Sequence, residues 1–170
     1  MNALAKGLLL GAAQILLVAG IGGKFLYDRA NYPRVWVETV PYDPDLPIRG
    51  RYVSVALLID VERDPAAKAP AGSADLGGFI GRLEARGDRL LAIEDAEGRH
   101  WVMSARCGEA QCWRLGDPLA YFISEHVEDP SRRPAGETLW VEVTVPPKGP
   151  PRPIRLGVRK DGALTPLELR

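Results

Sequence analysis

The chain begins with a long uncharged stretch in which apolar residues occupy every face of a helix. Residues 7–23 carry no charged side chain, and Gln14 is the polar exception among them. A surface helix of a soluble protein would show a single apolar stripe instead. As a helix these 17 residues would span about 26 Å, and residues 25–27 extend them toward the ~30 Å hydrocarbon core of a bilayer. The pattern predicts a transmembrane helix within residues 1–29, with membrane lipid as the partner of residues 7–23.

Two other interpretations fit the same segment. It has the length of a cleaved signal peptide, with the small residues Val18, Ala19 and Gly20 as a cleavage site, or of a helix buried in a protein core. We expect an uncleaved signal anchor, because the apolar run continues beyond Gly20. Basic residues flank the run on both sides, so their distribution does not fix the orientation of the helix.

Beyond residue 30 the pattern changes to short runs in which apolar and polar residues alternate. The longest covers residues 52–61, and the run at 139–145 alternates in the same way. Residues 89–94 and 99–107 flank a four-residue loop and predict one hairpin, and Asp161-Gly162 predicts another. Roughly seven to nine such strands predict one antiparallel β-sandwich or barrel-like domain over residues 30–170. Between them we expect a loop at residues 63–78, with a short helix as the alternative over residues 74–85.

Charge and composition narrow the classes of function. The chain has 22 basic and 22 acidic residues, so its net charge of zero disfavours a nucleic-acid partner held by phosphate neutralisation. Two Cys and two His are too few for a zinc-ribbon framework. We therefore expect no nucleic-acid partner, no metal site and no cofactor.

Cys107 and Cys112 are separated by four residues and flank a predicted turn between two strands. Redox catalysts favour a two-residue spacing at the start of a helix. The spacing here favours a structural disulfide across a hairpin, with two free thiols or a redox couple as the alternatives. A disulfide requires an oxidising compartment, which supports an extracytoplasmic location for the β domain.

A catalytic constellation is hard to assemble from these residues. None of the serines lies in a G-x-S-x-G elbow, so we expect no catalytic residues. The alternative is a hydrolase-like enzyme with a site near Tyr52, Glu125 and His126. The four Trp residues fall in or beside predicted strands, where core packing is the expectation and a binding platform the alternative.

The segment before the longest strand is rich in turn-forming and charged residues. Asp43-Pro44 sets a turn, and Arg49-Gly50 comes directly before the strand that begins with Tyr52. We expect Arg49 to pair with an acidic side chain, either Asp43 or Glu125. The same segment is also a candidate recognition edge for a partner.

These residues resemble the family named for its GDYXXLXY motif, which comprises membrane-anchored bacterial proteins of unknown function. The motif is represented by residues 50–57, in which Gly50 and Tyr52 match and Arg51 replaces the acidic residue. The later segment with two aromatic residues and an acid is represented by Tyr121, Phe122 and Glu125. The resemblance implies an exported β domain behind a single anchor, in a family whose proteins often accompany multi-spanning membrane proteins.

The sequence therefore favours a non-enzymatic binding or assembly protein of the bacterial inner membrane. We expect a single membrane pass, a periplasmic C-terminal domain and another, multi-spanning membrane protein as partner. The candidate contact residues for this partner are Asp43, Pro44, Arg49, Gly50, Tyr52, Tyr121, Phe122 and Glu125.

Overall fold

The computed structural model describes residues 2–42, 52–62 and 77–169. The chain divides into two units, residues 1–32 and residues 33–170. The first is a single helix, and the second is a domain built almost entirely of β-strands.

Helix α1 covers Ala3–Asn31. The side chain of Asn2 caps its first turn by accepting a hydrogen bond from the backbone N–H of Ala5 at 3.1 Å. Its large apolar side chains are exposed, including Leu9, Ile15 and Leu16. At about 1.5 Å per residue the 29-residue helix is about 44 Å long, so its apolar part has the length and composition that a membrane anchor or a signal sequence requires.

Eleven strands follow within the described residues, and they form two sheets. Their bounds are β1 Arg34–Pro41, β2 Tyr52–Leu57, β3 Asp60–Glu62, β4 Gly78–Arg86, β5 Arg89–Glu94, β6 His100–Cys107, β7 Ala110–Leu115, β8 Leu119–Phe122, β9 Glu137–Thr144, β10 Arg152–Lys160 and β11 Ala163–Pro166. The first sheet has the order β11-β10-β9-β1-β2-β8, and the second has the order β3-β5-β4-β6-β7. The expected β-rich domain behind one apolar helix is confirmed.

The chain passes from one sheet to the other directly after β2. Strand β2 pairs with β1 up to Leu57, and the N–H of Leu58 still donates to the carbonyl of Glu38 at 2.9 Å. Leu58 also forms a bridge with Arg114 of β7, and the N–H of Ile59 donates to the carbonyl of Trp113 at 3.0 Å. Strand β3 then pairs with β5. Residues 58 and 59 thus contact β7, one edge strand of the second sheet, and lead into β3, the other edge strand, so that the sheet curls into a half-barrel.

The two sheets share one apolar core. Val55 and Leu57 of β2 are completely buried, as are Phe79, Val102 and Val141 on strands of both sheets. Both faces of β2 are covered, since Ser54 and Ala56 are buried as well. Burial on both faces identifies β2 as the strand that holds the two sheets together.

The strand pattern differs from the sequence prediction in four respects. The run at residues 52–61 is two strands rather than one, because the backbone changes partners at Leu58. Strands β5 and β6 do not pair as a hairpin, because β4 lies between them, and the alternative helix over residues 74–85 is wrong where β4 begins at Gly78. The pair β3–β5 is parallel, whereas the other strand pairs are antiparallel.

The hairpin predicted from Asp161-Gly162 is confirmed. Strands β10 and β11 pair on either side of it, with Lys160 opposite Ala163. Asp161 and Gly162 both have positive φ angles, 49° and 82°, as a tight hairpin turn with this sequence requires.

Leu57→Ala should destabilise the whole β domain in one step. Removing a completely buried leucine costs about 3 kcal/mol of unfolding free energy through lost burial and the cavity left behind. Ile80→Ala, at a side chain that is 40% exposed, is the matched control and should cost about 1 kcal/mol or less. Denaturant unfolding followed by Trp fluorescence and by circular dichroism measures both variants. Separate transitions for the two probes would contradict a shared core.

Candidate functional site

A groove of about 1160 Å³ opens beside β1 and is lined by residues of both sheets of the β domain. Its floor is the first half of β1, and one wall carries Trp36, Trp140, Arg159 and Leu164. The other wall comes from the segment after β2, the turn between β4 and β5, and the middle of β7. A volume above the roughly 300–1,000 Å³ of a small-molecule pocket, together with its open form, suits a chain segment better than a small ligand.

The groove exists because β2 leaves β1 halfway along. Strand β9 pairs with β1 along Arg34–Glu38, whereas β2 pairs with it only along Thr39–Pro41. The carbonyl of Glu38 and the N–H of Tyr42 point toward β2. In an antiparallel strand every second residue directs its backbone groups to the same side. The N–H and C=O of Trp36 therefore point into the groove, where no other described residue pairs with them.

The first wall is an aromatic and cationic surface on the outer face of the six-stranded sheet. The guanidinium of Arg159 lies 3.7 Å from the ring centroid of Trp140, whose indole N–H donates to Thr138 Oγ1 at 2.9 Å. The ring of Trp36 reaches over Gly157, where an added Cβ would lie 2.9 Å from Trp36 Cζ3. Glycine at this position therefore lets the Trp36 ring lie against the sheet.

Arg155 is the second arginine on this outer face, and its surroundings differ from those of Arg159. Arg155 lies 5.3 Å from the ring centroid of Trp36, and its Nε donates to Glu142 Oε2 at 2.7 Å. The side chain of Arg159 makes neither a hydrogen bond nor an ion pair within residues 2–42, 52–62 and 77–169, and its Nε is buried. Of these two arginines, Arg159 is the one whose guanidinium has no carboxylate partner among the described residues.

The second wall is held by local contacts. Arg89 and Asp60 form an ion pair with 3.5 Å between Nη1 and Oδ2. Trp113 packs against the ring of Phe79 with 5.5 Å between centroids. The disulfide between Cys107 and Cys112 joins β6 to β7 and places Cys112 in the groove lining. The disulfide expected from the spacing is therefore present, and it braces the strand that forms this wall.

The segments singled out by sequence partly meet at the opposite edge of the sheet. Tyr52 of β2 stands opposite Phe122 of β8, with 6.2 Å between ring centroids. Phe122 is 74% exposed, whereas Tyr121 is half-buried against the core. Glu125 and His126 are exposed in the loop after β8, outside the groove.

Four of the sequence-predicted contact residues lie outside the described residues. They are Asp43, Pro44, Arg49 and Gly50, so the expected ion pair of Arg49 with Asp43 or Glu125 stays a prediction.

The groove was not predicted from the sequence, although the alternation of the strands indicates the two Trp residues of its first wall. The four Trp residues were expected in the core, yet Trp36 and Trp140 lie half-buried on the outer face. Both stand at the outward-facing positions of their alternating strands. Trp36 falls between the buried Val35 and Val37, and Trp140 lies between the buried Leu139 and Val141. This position in the alternating pattern identifies an outward-facing aromatic residue from the sequence alone.

His100 is the buried titratable group of the second sheet. It begins β6, and burial lowers the pKa of its imidazole below the ordinary value of 6.5. The charge of Asp117 and a hydrogen bond to the backbone of Gly149 oppose that effect. The hydrogen bond connects β6 to the proline-rich segment before β10, so His100 stabilises the domain in its neutral form.

Within the described residues, no three His, Cys, Asp or Glu side chains are grouped as a metal ion would need. Comparisons with protein-family models, with curated proteins and with solved structures found no match to this chain.

The free energy of unfolding should fall as the pH drops below about 6.5, because the unfolded chain then binds a proton that folded His100 resists. His100→Gln should remove this part of the pH dependence. His126→Gln, at the exposed histidine, is the matched control and should retain it. Urea unfolding at a series of pH values measures all three proteins. Equal slopes for the parent and His100→Gln would contradict the role assigned to His100.

Proposed function

We propose that this protein is a membrane-tethered binding protein whose β domain holds a segment of another envelope protein in the groove between its sheets. Helix α1 would keep the domain at the surface of the bacterial inner membrane, on the periplasmic side. The disulfide supports that side, because such bonds persist in oxidising compartments.

The open edge of β1 is the observation that carries this proposal. Buried or half-buried backbone groups are nearly always paired, so an edge that faces a groove is suited to receive another chain. The aromatic rings and charges of the first wall add the chemistry that protein interfaces favour, in which Trp and Arg are enriched. This arrangement supports recognition of a protein rather than turnover of a substrate.

The proposed kinship with the GDYXXLXY-motif family supports the same role. Proteins of that family often accompany multi-spanning membrane proteins, which makes such a protein the candidate partner here. The exposed ring of Phe122, paired with Tyr52, offers a second contact surface at the far edge of the sheet. Exposed aromatic side chains of this kind are common anchors in protein interfaces.

A photo-crosslinking amino acid at Gln111, an exposed residue of the groove lining, should capture a membrane-embedded partner in intact cells. The same amino acid at Glu97, in the turn at the opposite end of β5, is the matched control and should not capture it. Mass spectrometry of the captured product identifies the partner and the segment that was crosslinked. Equal capture at both positions, no capture at Gln111, or a cytoplasmic segment in the product would contradict the proposal.

A further inference from the structure

The open edge of β1 is a template for one more strand. Its open part is centred on Trp36 and ends at Glu38, whose carbonyl already accepts the N–H of Leu58. Strand β2 pairs with the rest of the same edge and leaves it at Leu58. An incoming extended segment would continue the ladder that β2 leaves, and Trp36 supplies both a donor and an acceptor for it.

The charge of Arg159 indicates which side chain the incoming segment should carry. Its guanidinium lies on the Trp140 ring, and no carboxylate among the described residues pairs with it. Its Nε is buried without an acceptor, and an unsatisfied buried donor is costly. A carboxylate in the groove would satisfy this charge with a short, charge-assisted hydrogen bond.

The other charges of the groove limit how acidic the segment can be. Three acidic residues line it, Glu38, Asp60 and Asp88, and they balance its three arginines. Asp60 is already paired with Arg89, whereas Glu38 sits on β1 directly beside Trp140 in the sheet. A single acidic residue opposite Arg159 is therefore favoured, and a run of acidic residues would be repelled by Glu38.

Strand spacing favours a long acidic side chain. Strands lie about 4.8 Å apart, so a segment docked on β1 has its backbone about 14 Å from β10, where Arg159 is rooted. Arg159 covers part of this distance by lying over Trp140 on β9. Glutamate, which is one methylene longer than aspartate, bridges the rest better.

We propose that the groove binds an extended polypeptide segment by β-strand addition to β1, with one carboxylate of the segment on Arg159. This inference rests on the proposed function, since it names the chemistry of the segment that the partner presents. The carboxylate belongs to a glutamate side chain or to the C-terminus of the partner chain.

The probe is the blocked peptide Ac-Lys-Thr-Val-Thr-Val-Glu-Val-Thr-Val-Thr-Lys-NH2, titrated into the isotope-labelled full-length protein in lipid nanodiscs. Its valines face one side of the strand, and its threonines and glutamate face the other. We expect NMR shifts at the backbone amides of Trp36 and Glu38 and at the Nε of Arg159. The peptide with Gln in place of Glu should bind about tenfold more weakly, and the one with Asp should fall between the two.

Two variants separate recognition from folding. Arg159→Gln should bind the Glu and Gln peptides equally. Arg155→Gln is the matched control, because Arg155 is already paired with Glu142, and it should keep the preference for Glu. Spectra of the free variants that match the parent outside the groove show that both are folded.

A peptide that carries Gln in the middle and a free C-terminal carboxylate separates the two sources of the carboxylate. Binding of either carboxylate peptide at these amides, weakened about tenfold in Arg159→Gln, supports the inference. Shifts elsewhere, no shifts at all, or equal binding of the Glu and Gln peptides to the parent would overturn it. Crosslinking from Gln111 would survive that result if the groove binds its partner in another way, so the two proposals fail separately.

Discussion

The change of partners at Leu58 is the constraint on which the rest of the β domain depends. A backbone N–H or C=O in a buried strand must be paired, and those of Leu58 and Ile59 are divided between β1 and β7. This division curls the second sheet into a half-barrel and fixes β2 between two apolar layers. Because β2 leaves β1 at this point, the first half of β1 has no strand partner on that edge. The groove forms along this unpaired stretch.

Side chains then determine what the groove is suited to hold. Gly157 leaves room for the Trp36 ring, and Trp140 supports the guanidinium of Arg159. An edge strand that is open and apolar invites aggregation, and proteins commonly protect such edges with charges or with a covering element. Here the edge lies in a groove that is lined by three charges of each sign.

Much of the architecture could be predicted from the sequence, because it depends on local patterns. The absence of charge over residues 7–23 predicts α1, and Asp161-Gly162 predicts the turn between β10 and β11. The break at Leu58 could not be predicted, because the alternation of residues 53–61 continues through it. The apolar side chains on both sides of the break belong to the same core. The position of β4 between β5 and β6 is likewise a matter of long-range pairing, which a four-residue loop does not determine.

Hydrogen exchange along β1 tests the change of partners most directly. In the full-length protein, the amides of Val35 and Val37 point toward β9 and should exchange slowly, whereas that of Trp36 points into the groove and should exchange much faster. Residue-resolved exchange measured by NMR distinguishes these neighbours. An alternation of slow, fast and slow rates is the result this account predicts. Uniformly slow exchange at all three amides would contradict it, since β1 would then be paired along both edges.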